Sequence, residues 1–302
     1  MTEVEMEKRG ESWPSLEVEA WAPTRETLHM WLQIIGKLRM VGSPFLNHWW
    51  HVTLSLSARG LSTGPIPLDG VILDIEFDFV DHRLVLRTSE GGREEIALQP
   101  MTVAEFYRLT VEALGRLGVE LEIHPTPNEV DPAIPFPTDV EHRSYEPEQV
   151  HAFWRQLIRA DGVLRRLRAE FRGKASPVHL FWGALDIATT RFSGRPAPLH
   201  PGGVPNCPDR VMIEGYCDEI SSSGFWPGGG REGAFYSYAY PEPEGYAQTT
   251  VPGGAYYDHA LGEFVLPYEV VRQSADPTAL ALEFLRVTTA AAARLADWPQ
   301  EG

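Results

Sequence analysis

The sequence predicts an α+β protein with two similar halves, each made of antiparallel strands flanked by helices, related by a pseudo-twofold axis. Three observations support this fold class. Residues 47–67 align without a gap with residues 178–198, helical patterns in the same order surround both copies, and a proline-rich stretch separates them. We therefore expect the chain to have arisen by an internal duplication.

The repeat extends beyond its central stretch. Residues 31–35 match 154–158, and residues 105–110 match 283–288. Chance similarity between amphipathic patterns is the alternative, but the matched segments occur in the same order, which favours duplication. The matched positions of the central stretch are His48 with His179, Trp50 with Phe181, Leu54 with Leu185, Leu56 with Ile187, Ser62 with Ser193, Pro65 with Pro196 and Pro67 with Pro198.

The domain boundaries follow from these repeats and from proline content. We expect an N-terminal arm over residues 1–20, a first α+β half over 21–124, a linker over 125–147 and a second half over 148–302. Five prolines between residues 125 and 137 are typical of a connecting segment.

Each half shows periodic patterns for its elements. Residues 47–57 alternate between two sets of side chains, which predicts a half-buried strand. Asp81 and His82 are expected at the tip of a hairpin, and Asp276 before Pro277 predicts a helix start. The other predicted helices cover 25–40, 102–117 and 148–171, and the other predicted strands cover 71–80, 84–88, 94–98, 120–124, 178–187, 211–220, 234–240 and 263–266.

Composition limits the classes of partner. The 302 residues are 43% hydrophobic and carry a formal net charge of −16, which disfavours nucleic acid and anionic membranes as partners. No apolar run approaches 18 residues, and the first residues lack a signal-peptide core. Cys207 and Cys217 form no metal-binding motif. We expect a cytoplasmic protein with free thiols, although a disulfide is the alternative.

Several long strings resemble a bacterial family of unknown function, domain of unknown function 5996. They are NHWWHV, FDFVDH, SPVHLFWGALDIATTRFSGR, SGFWPGGG and LPYEVVR. The resemblance extends from about Trp13 to Trp298. It implies a complete member of a soluble family, and it carries over no catalytic residue, cofactor or partner.

The histidines of the repeat are the first candidates for chemistry. His48 and His179 occupy equivalent positions, and two interpretations are open: hydrogen-bonded core histidines, or a pair near the pseudo-twofold axis that ligates a metal or transfers protons. The second copy replaces His51 by Trp182 and Ser55 by Asp186. One half of a duplicated protein can therefore keep chemistry that the other has lost.

Other polar and aromatic residues have open roles. Asp81 either shapes its turn or orients His82. Asp186 and Arg191 either form an ion pair or clamp the backbone of their loop, or Arg191 binds a carboxylate. Trp226, in a glycine-rich loop, is either a lid over an apolar ligand or a surface plug.

We therefore expect an enzyme or ligand-handling protein for a small organic molecule. Serine-hydrolase, zincin, dinucleotide-binding and P-loop motifs are absent from the sequence. The cofactor and metal stay unknown, and the alternative is a non-catalytic binding or interaction module. A homodimer fits either function. The pocket is expected between the halves, with His48, His51, His82 and His179 as catalytic candidates and with Trp50, Trp182, Asp186, Arg191 and Trp226 as ligand-binding candidates.

Overall fold

The computed structural model describes residues 13–299 and contains both helices and antiparallel sheets, as the α+β prediction required. Within this range, no helix is both long enough and apolar enough to cross a membrane. The helices are α1 (Ala22–Gly42), α2 (Val103–Arg116), α3 (Pro147–Ala169), α4 (Asp209–Gly215), α5 (Tyr268–Gln273) and α6 (Pro277–Leu295), with 3-10 turns at Asn47–Trp49, Phe136–Thr138 and Tyr246–Gln248.

The first sheet has six antiparallel strands. They pair in the order β1-β2-β4-β5-β6, and β3 adds to β4. The hairpin between β4 and β5 places Asp81 and His82 in its turn, as the sequence predicted. The strands are β1 (Ser55–Leu56), β2 (Gly60–Ser62), β3 (Ile66–Leu68), β4 (Val71–Asp78), β5 (Arg83–Thr88) and β6 (Arg93–Ala97).

The second sheet also has six antiparallel strands, in the order β7-β8-β9-β10-β12-β11. A bridge between Leu54 and Leu180 joins the two sheets, so the ends of β1 and β7 bring the two parts of the chain together. The strands are β7 (His179–Phe181), β8 (Asp186–Pro196), β9 (Asp218–Trp226), β10 (Ala234–Tyr240), β11 (Tyr256–Asp258) and β12 (Glu263–Pro267).

The predicted helix starts have clear local causes. The Thr102 side chain accepts a hydrogen bond from Glu105 N at the start of α2, and Asp276 Oδ1 accepts one from Ala279 N at the start of α6. Both bonds satisfy amide groups that a helix leaves without partners at its first turn. The predictions of these two helices are therefore confirmed.

Aromatic side chains dominate the core between helices and sheets. Trp31 of α1 is fully buried and stacks on Phe106 of α2, with ring centroids 4.6 Å apart. Most of the predicted arm, residues 1–12, lies outside the described residues. Trp13 is buried against Phe235 and Tyr268, so the chain is anchored on the second sheet from there onward.

The predicted strand over residues 47–57 is wrong. The structure has a 3-10 turn at Asn47–Trp49, with left-handed φ values of 54° at His48 and 61° at Trp49, and only Ser55–Leu56 is a strand. Tertiary contacts fix this turn, because Trp49 Nε1 donates to the carbonyl oxygen of Val211, 3.0 Å away in α4. The alternating large side chains of residues 47–54 thus belong to a turn and a loop, and not to a strand.

Other strand predictions also fail locally. Residues 209–215 form α4, and β9 begins only at Asp218, so residues 211–220 are not one strand. The apolar residues Val211 and Met212 that suggested a strand instead face a cavity. Residues 120–124 are irregular, and residues 178–187 contain a tight turn between β7 and β8.

Both parts of the described chain begin with a long helix, continue through six strands and end with a long helix, but in the second part α4 interrupts the strands and α5 follows them. The internal duplication and its pseudo-twofold axis stay predictions, as do the domain boundaries.

Candidate functional site

A cavity of about 760 Å³ lies between the second sheet, the end of α1, the first 3-10 turn and the connecting segment. This volume is in the range of small-molecule and cofactor sites. The end of α1, the loop after the first 3-10 turn, strands β7 to β10 and α4 contribute to its walls. Nine aromatic side chains line it: Trp49, Trp50, Phe181, Trp182, Phe192, Tyr216, Trp226, Tyr236 and Tyr238.

Five of the nine candidate residues from the sequence line this cavity. They come from three separate stretches of chain, which the fold brings together. The five are His48, Trp50, Trp182, Asp186 and Trp226.

The other four candidates lie outside the cavity lining. His51 Nδ1 accepts a hydrogen bond from Leu46 N, and His82 Nδ1 lies 2.9 Å from the hydroxyl of Tyr145. Arg191 donates to the backbone carbonyl of Leu167. These contacts hold loops and helices in place.

His179 is buried beside the cavity wall. Its Nδ1 lies 3.1 Å from Thr53 Oγ1, and its Nε2 has no partner among the described residues. Burial, with a smaller contribution from the charge of Arg39, lowers the pKa of His179 to about 3. The ring is therefore neutral at physiological pH and is a packing residue in this arrangement.

Trp182 is held in place from two sides. Its Nε1 donates to the carbonyl oxygen of Val52, 2.8 Å away. The indole also lies against Gly36 of α1, where an added Cβ atom would come within 2.2 Å of Cδ1. Only glycine at this position leaves room for the ring, so α1 fixes one wall of the cavity.

Asp186 and Tyr236 form a hydrogen-bonded pair in the cavity wall. The Tyr236 side chain passes over Gly224, the residue opposite it on the neighbouring strand. A Cβ atom added to Gly224 would lie 2.4 Å from the tyrosine hydroxyl oxygen. The hydroxyl donates to Asp186 Oδ2. Burial raises the pKa of Asp186 to about 6, although the bond from Tyr236 opposes the rise. This carboxyl group can therefore exchange a proton near neutral pH.

Two further carboxyl groups face the cavity without a partner. Neither Glu129 nor Glu263 has an ion pair or a side-chain hydrogen bond within residues 13–299. Desolvation by the surrounding cavity wall and the charge of Asp186 raise the pKa of each to about 7, although the Glu129 side chain keeps an exposed surface, and Asp258 adds to the effect at Glu263. Glu129 lies directly against Gly183, where an added Cβ would come within 2.0 Å of Oε1.

Lys37 is the buried cation of the cavity. Its Nζ donates to Asn128 Oδ1 at 2.5 Å and lies 5.9 Å from the centre of the Trp182 ring. Burial lowers the pKa of Lys37 to about 8, and the neighbouring Cys207 opposes this only in part. A part of the lysine population is therefore neutral at slightly alkaline pH.

His48 belongs to a polar cluster at the edge of the cavity. Its atoms and those of Cys217 and Asp218 lie within 4.8 Å of one another, as metal ligands would. However, Lys174 Nζ lies 2.7 Å from His48 Nε2 and 2.8 Å from Asp218 Oδ2. An ammonium group thus occupies the position between two of the three ligands, and a metal ion there would have to displace it.

These contacts also define the state of His48. Its Nδ1 lies 3.3 Å from the carbonyl oxygen of Gly215, so Nδ1 carries the proton and Nε2 accepts from Lys174. Burial and the Lys174 charge lower the pKa of His48, against the opposite effect of Asp218. A neutral His48 therefore links the first 3-10 turn to the second sheet.

The predicted linker forms part of the cavity wall. Asn128 Nδ2 donates to the carbonyl oxygen of Asn206 at 2.8 Å, and Asn206 Nδ2 donates to that of Val130 at 2.6 Å. Glu129 N also donates to the carbonyl oxygen of Pro205. These bonds fasten the connecting segment to the loop before α4.

Strained backbone is concentrated around the cavity. Seven non-glycine residues in the described range have a positive φ angle, and four of them line the cavity. A left-handed conformation costs a non-glycine residue about 1 to 3 kcal/mol and persists only where surrounding contacts impose it. The four are His48, Trp49, Glu129 and Asn206.

Sequence reasoning missed several polar residues of the cavity. Glu129 lies in a proline-rich stretch without periodicity, and nothing in the pattern indicates that it lines a cavity. Lys37 had a detectable signal, since it is the one charged residue in the largely apolar stretch from Met30 to Leu38, which also contains Gln33. Tyr236 alternates with Tyr238 and Tyr240 along the chain, a pattern typical of cross-strand packing, but in the structure its hydroxyl donates to Asp186.

Comparisons with known proteins identify the family of this chain, but not an activity, ligand or partner. No curated protein and no solved structure matches the chain. A family model described as "Family of unknown function (DUF5996)" matches residues 13–302. The match confirms the resemblance seen in the sequence strings, and the chain belongs to this family.

Proposed function

We propose that the cavity binds a small organic molecule and that the protein is an enzyme or ligand-handling protein. The observation that carries this proposal is a cavity of about 760 Å³ lined by aromatic rings, with a few polar groups converging on it. Strained residues in the wall support it, because strain of this kind is typical of functional sites.

Chemistry in the cavity would be proton transfer. A general acid or base works best when its pKa lies near the working pH. Asp186, with a pKa of about 6, and Glu129, with a pKa of about 7, meet this condition. The histidines are weaker candidates than expected, because burial and the Lys174 charge lower the pKa of His48, and His179 lies outside the lining.

The alternative function is non-catalytic binding or protein interaction. It shares the cavity but needs no turnover, and the acidic composition would then serve solubility or a basic partner. Conversion of a bound compound, followed by mass spectrometry, separates the two functions.

A pair of variants on α4 tests the binding site. Met212 lines the cavity, whereas Ile213, its neighbour on the same helix, is exposed and does not. We expect Met212→Trp to fill the cavity and weaken binding at least tenfold, and Ile213→Trp to leave binding unchanged. The α4 helix contains no buried residue, so neither change threatens the core.

Binding is measured by native mass spectrometry of the purified protein and by ligand-observed NMR with a mixture of small aromatic amines, alcohols and acids. An adduct or bound fragment that the Met212→Trp variant loses supports the proposal. Equal binding by both variants, or no binding of any compound, contradicts it.

We also propose that the two parts of the chain derive from a duplication, supported by the sequence repeats and the repeated element order. A cytoplasmic location and a homodimer are further proposals. Sedimentation of the purified protein tests the homodimer.

A further inference from the structure

This inference rests on the proposed binding site and names the class of compound that the site takes. We propose that the cavity binds a neutral aldehyde or ketone with an apolar or aromatic body, and that Lys37 forms a Schiff base with its carbonyl carbon. The argument starts from the position of Lys37, which is buried in the cavity wall and held there by the neutral amide of Asn128.

Lysine is rare in this chain, which makes Lys37 distinctive. The sequence has 26 lysines and arginines together, and only three of them are lysines: Lys8, Lys37 and Lys174. Arginine stays protonated in proteins, whereas a buried lysine can lose its proton and react as an amine. The cavity therefore has, at Lys37, the kind of basic side chain that can act as a nucleophile.

Lys37 is buried without a carboxylate partner. It lies in α1, lines the cavity and is only 2% exposed, and within residues 13–299 no carboxylate contributes to its pKa. Desolvation lowers this pKa to about 8, so about half of the lysine is a neutral amine at pH 8. A carboxylate beside the amine would hold the proton and block the lone pair, so its absence from the described residues keeps the amine reactive.

Asn128 fixes the direction of the amine. Lys37 Nζ donates to Asn128 Oδ1 at 2.5 Å. Asn128 is itself held by Gln33, because Asn128 N donates to Gln33 Oε1 and Gln33 Nε2 donates to the carbonyl oxygen of Asn128, both at 2.8 Å. A neutral amine donates to an amide oxygen as an ammonium group does. The bond therefore holds the nitrogen after proton loss and leaves its lone pair for a compound in the cavity.

The wall beside Lys37 is aromatic. Its Nζ lies 5.9 Å from the centre of the Trp182 ring, and Trp50 and Trp226 line the same cavity. Such rings offer apolar surface to the body of a ligand. A cavity of about 760 Å³ has room for a small aromatic or aliphatic carbonyl compound.

The charges of the lining favour a neutral carbonyl compound over an anion as the partner of Lys37. Three carboxyl groups line the cavity, those of Asp186, Glu129 and Glu263, and the one further Lys or Arg of the lining, Arg210, is exposed on α4. A ligand carboxylate would meet this acidic lining. A protonated Schiff base instead keeps the positive charge at the Lys37 nitrogen, which the same carboxyl groups favour.

The proposed step is a condensation that needs no further reactant. The lone pair of the neutral Lys37 amine attacks the carbonyl carbon, so that a C–N bond forms and the π electrons of the carbonyl group move to oxygen. The oxygen then leaves as water with the two hydrogens of the amine, and a C=N bond replaces the C=O bond. Cys207 also lines the cavity, but desolvation raises the pKa of its thiol to about 11, so it stays protonated under the same conditions.

Reductive trapping tests the Schiff base. The full-length protein is incubated at pH 8 with 3-phenylpropanal and cyanoborohydride, and peptide mass spectrometry locates each adduct, whose mass is that of the aldehyde less one oxygen atom. Lys174 is the internal control, because its side chain is more exposed but forms an ion pair with Asp218 at 2.8 Å. We expect Lys37 to be labelled about tenfold faster than Lys174 or more.

Two pairs of variants connect the labelling to the structure. Asn128→Asp places a carboxylate on the Lys37 amine and should slow its labelling about tenfold or more, whereas Asn47→Asp, at an exposed position outside the lining, should not. Met212→Trp, which fills the cavity, should slow the labelling of Lys37, and Ile213→Trp should leave it unchanged. Circular dichroism checks that each variant is folded.

The outcomes separate this inference from the proposed function. 3-Phenylpropanol, the alcohol of the same shape, measures binding without reaction by ligand-observed NMR. Alcohol binding that Met212→Trp loses, with Lys37 labelled no faster than Lys174, overturns the Schiff base and leaves the binding site intact. Labelling of Lys37 that Met212→Trp or Asn128→Asp leaves unchanged also overturns it. Failure of both alcohol binding and Lys37 labelling overturns both.

Discussion

The contact between Gly36 and Trp182 allows a sharp test of how the cavity is built. In Gly36→Ala, the new methyl group would lie 2.2 Å from Cδ1 and 2.3 Å from Nε1 of the indole, whereas carbon atoms in contact are normally about 3.5 to 4.0 Å apart. The ring would have to move by more than 1 Å, about the difference between these distances. It would then lose its hydrogen bond to Val52.

The size of the effect follows from three contributions. Overpacking of a core costs about 1 to 3 kcal/mol, and a buried indole N–H without an acceptor costs about 1 to 3 kcal/mol more. Alanine is favoured over glycine inside a helix by about 1 kcal/mol. We therefore expect Gly36→Ala to lower the free energy of unfolding by about 1 to 5 kcal/mol.

The assay is urea unfolding followed by circular dichroism. Gly162→Ala is the control, since Gly162 also lies inside a helix, α3, but an added Cβ meets nothing within 4 Å. It should stabilise the protein by about 0.5 to 1 kcal/mol. In a Trp182→Ala background, Gly36→Ala should become stabilising too. If Gly36→Ala stabilises the unmodified protein as Gly162→Ala does, the close packing is wrong.

Two further predictions concern the histidines. The pKa of His179 is about 3 in the folded protein and 6.5 in the unfolded chain. As pH falls from 6.5 towards 3, only the unfolded state therefore binds a proton at this residue. This residue should therefore lower the free energy of unfolding by about 1.4 kcal/mol for each pH unit of acidification. Urea unfolding of His179→Leu should show a correspondingly weaker dependence of that free energy on pH. If the pH dependence is the same in the variant, His179 does not have the low pKa. In Lys174→Met, the pKa of His48 should rise, because the neighbouring positive charge is lost and Asp218 remains. Titration by NMR measures this, and a pKa that stays or falls excludes the Lys174 contact.

The sequence predicted the four long helices α1, α2, α3 and α6 well because their signals are local, whereas it missed the short helices α4 and α5. Apolar residues at helical spacing, the Thr102 cap and the Asp276–Pro277 start all act within a few residues of chain, and the structure has each helix there. The turn containing Asp81 and His82 is local in the same sense.

The errors occurred where distant contacts decide the backbone. Residues 47–57 alternate like a strand, but His48 N donates to Glu214 and Trp49 to the backbone of α4, more than 160 residues away. Nothing within the segment itself encodes those partners. Left-handed φ angles are uncommon for residues other than glycine, so two in succession at His48 and Trp49 are not what local propensity predicts.

Only part of the candidate site was predicted from the sequence, because distant contacts also decide which residues line the cavity. Large aromatic residues such as Trp50 and Trp182 attract attention in a sequence, and the fold brings them to one cavity. The carboxyl groups of Glu129 and Glu263 have ordinary sequence surroundings, and only the tertiary structure reveals that they are partly desolvated and unpaired. Lys37, a charged residue in the apolar part of α1, is a sequence signal that could have indicated one polar residue of the cavity.

The α4 wall has a consequence for the speed of exchange between the cavity and solvent. This seven-residue helix buries no side chain, and hydrogen bonds from His48 N and Trp49 Nε1 hold it to the first part of the chain. Each such bond contributes about 0.5 to 1.5 kcal/mol net, so an outward swing of α4 should cost only a few kcal/mol and recur on the microsecond-to-millisecond timescale. A ligand would then enter and leave without unfolding of either sheet, and its residence time would depend on its own contacts.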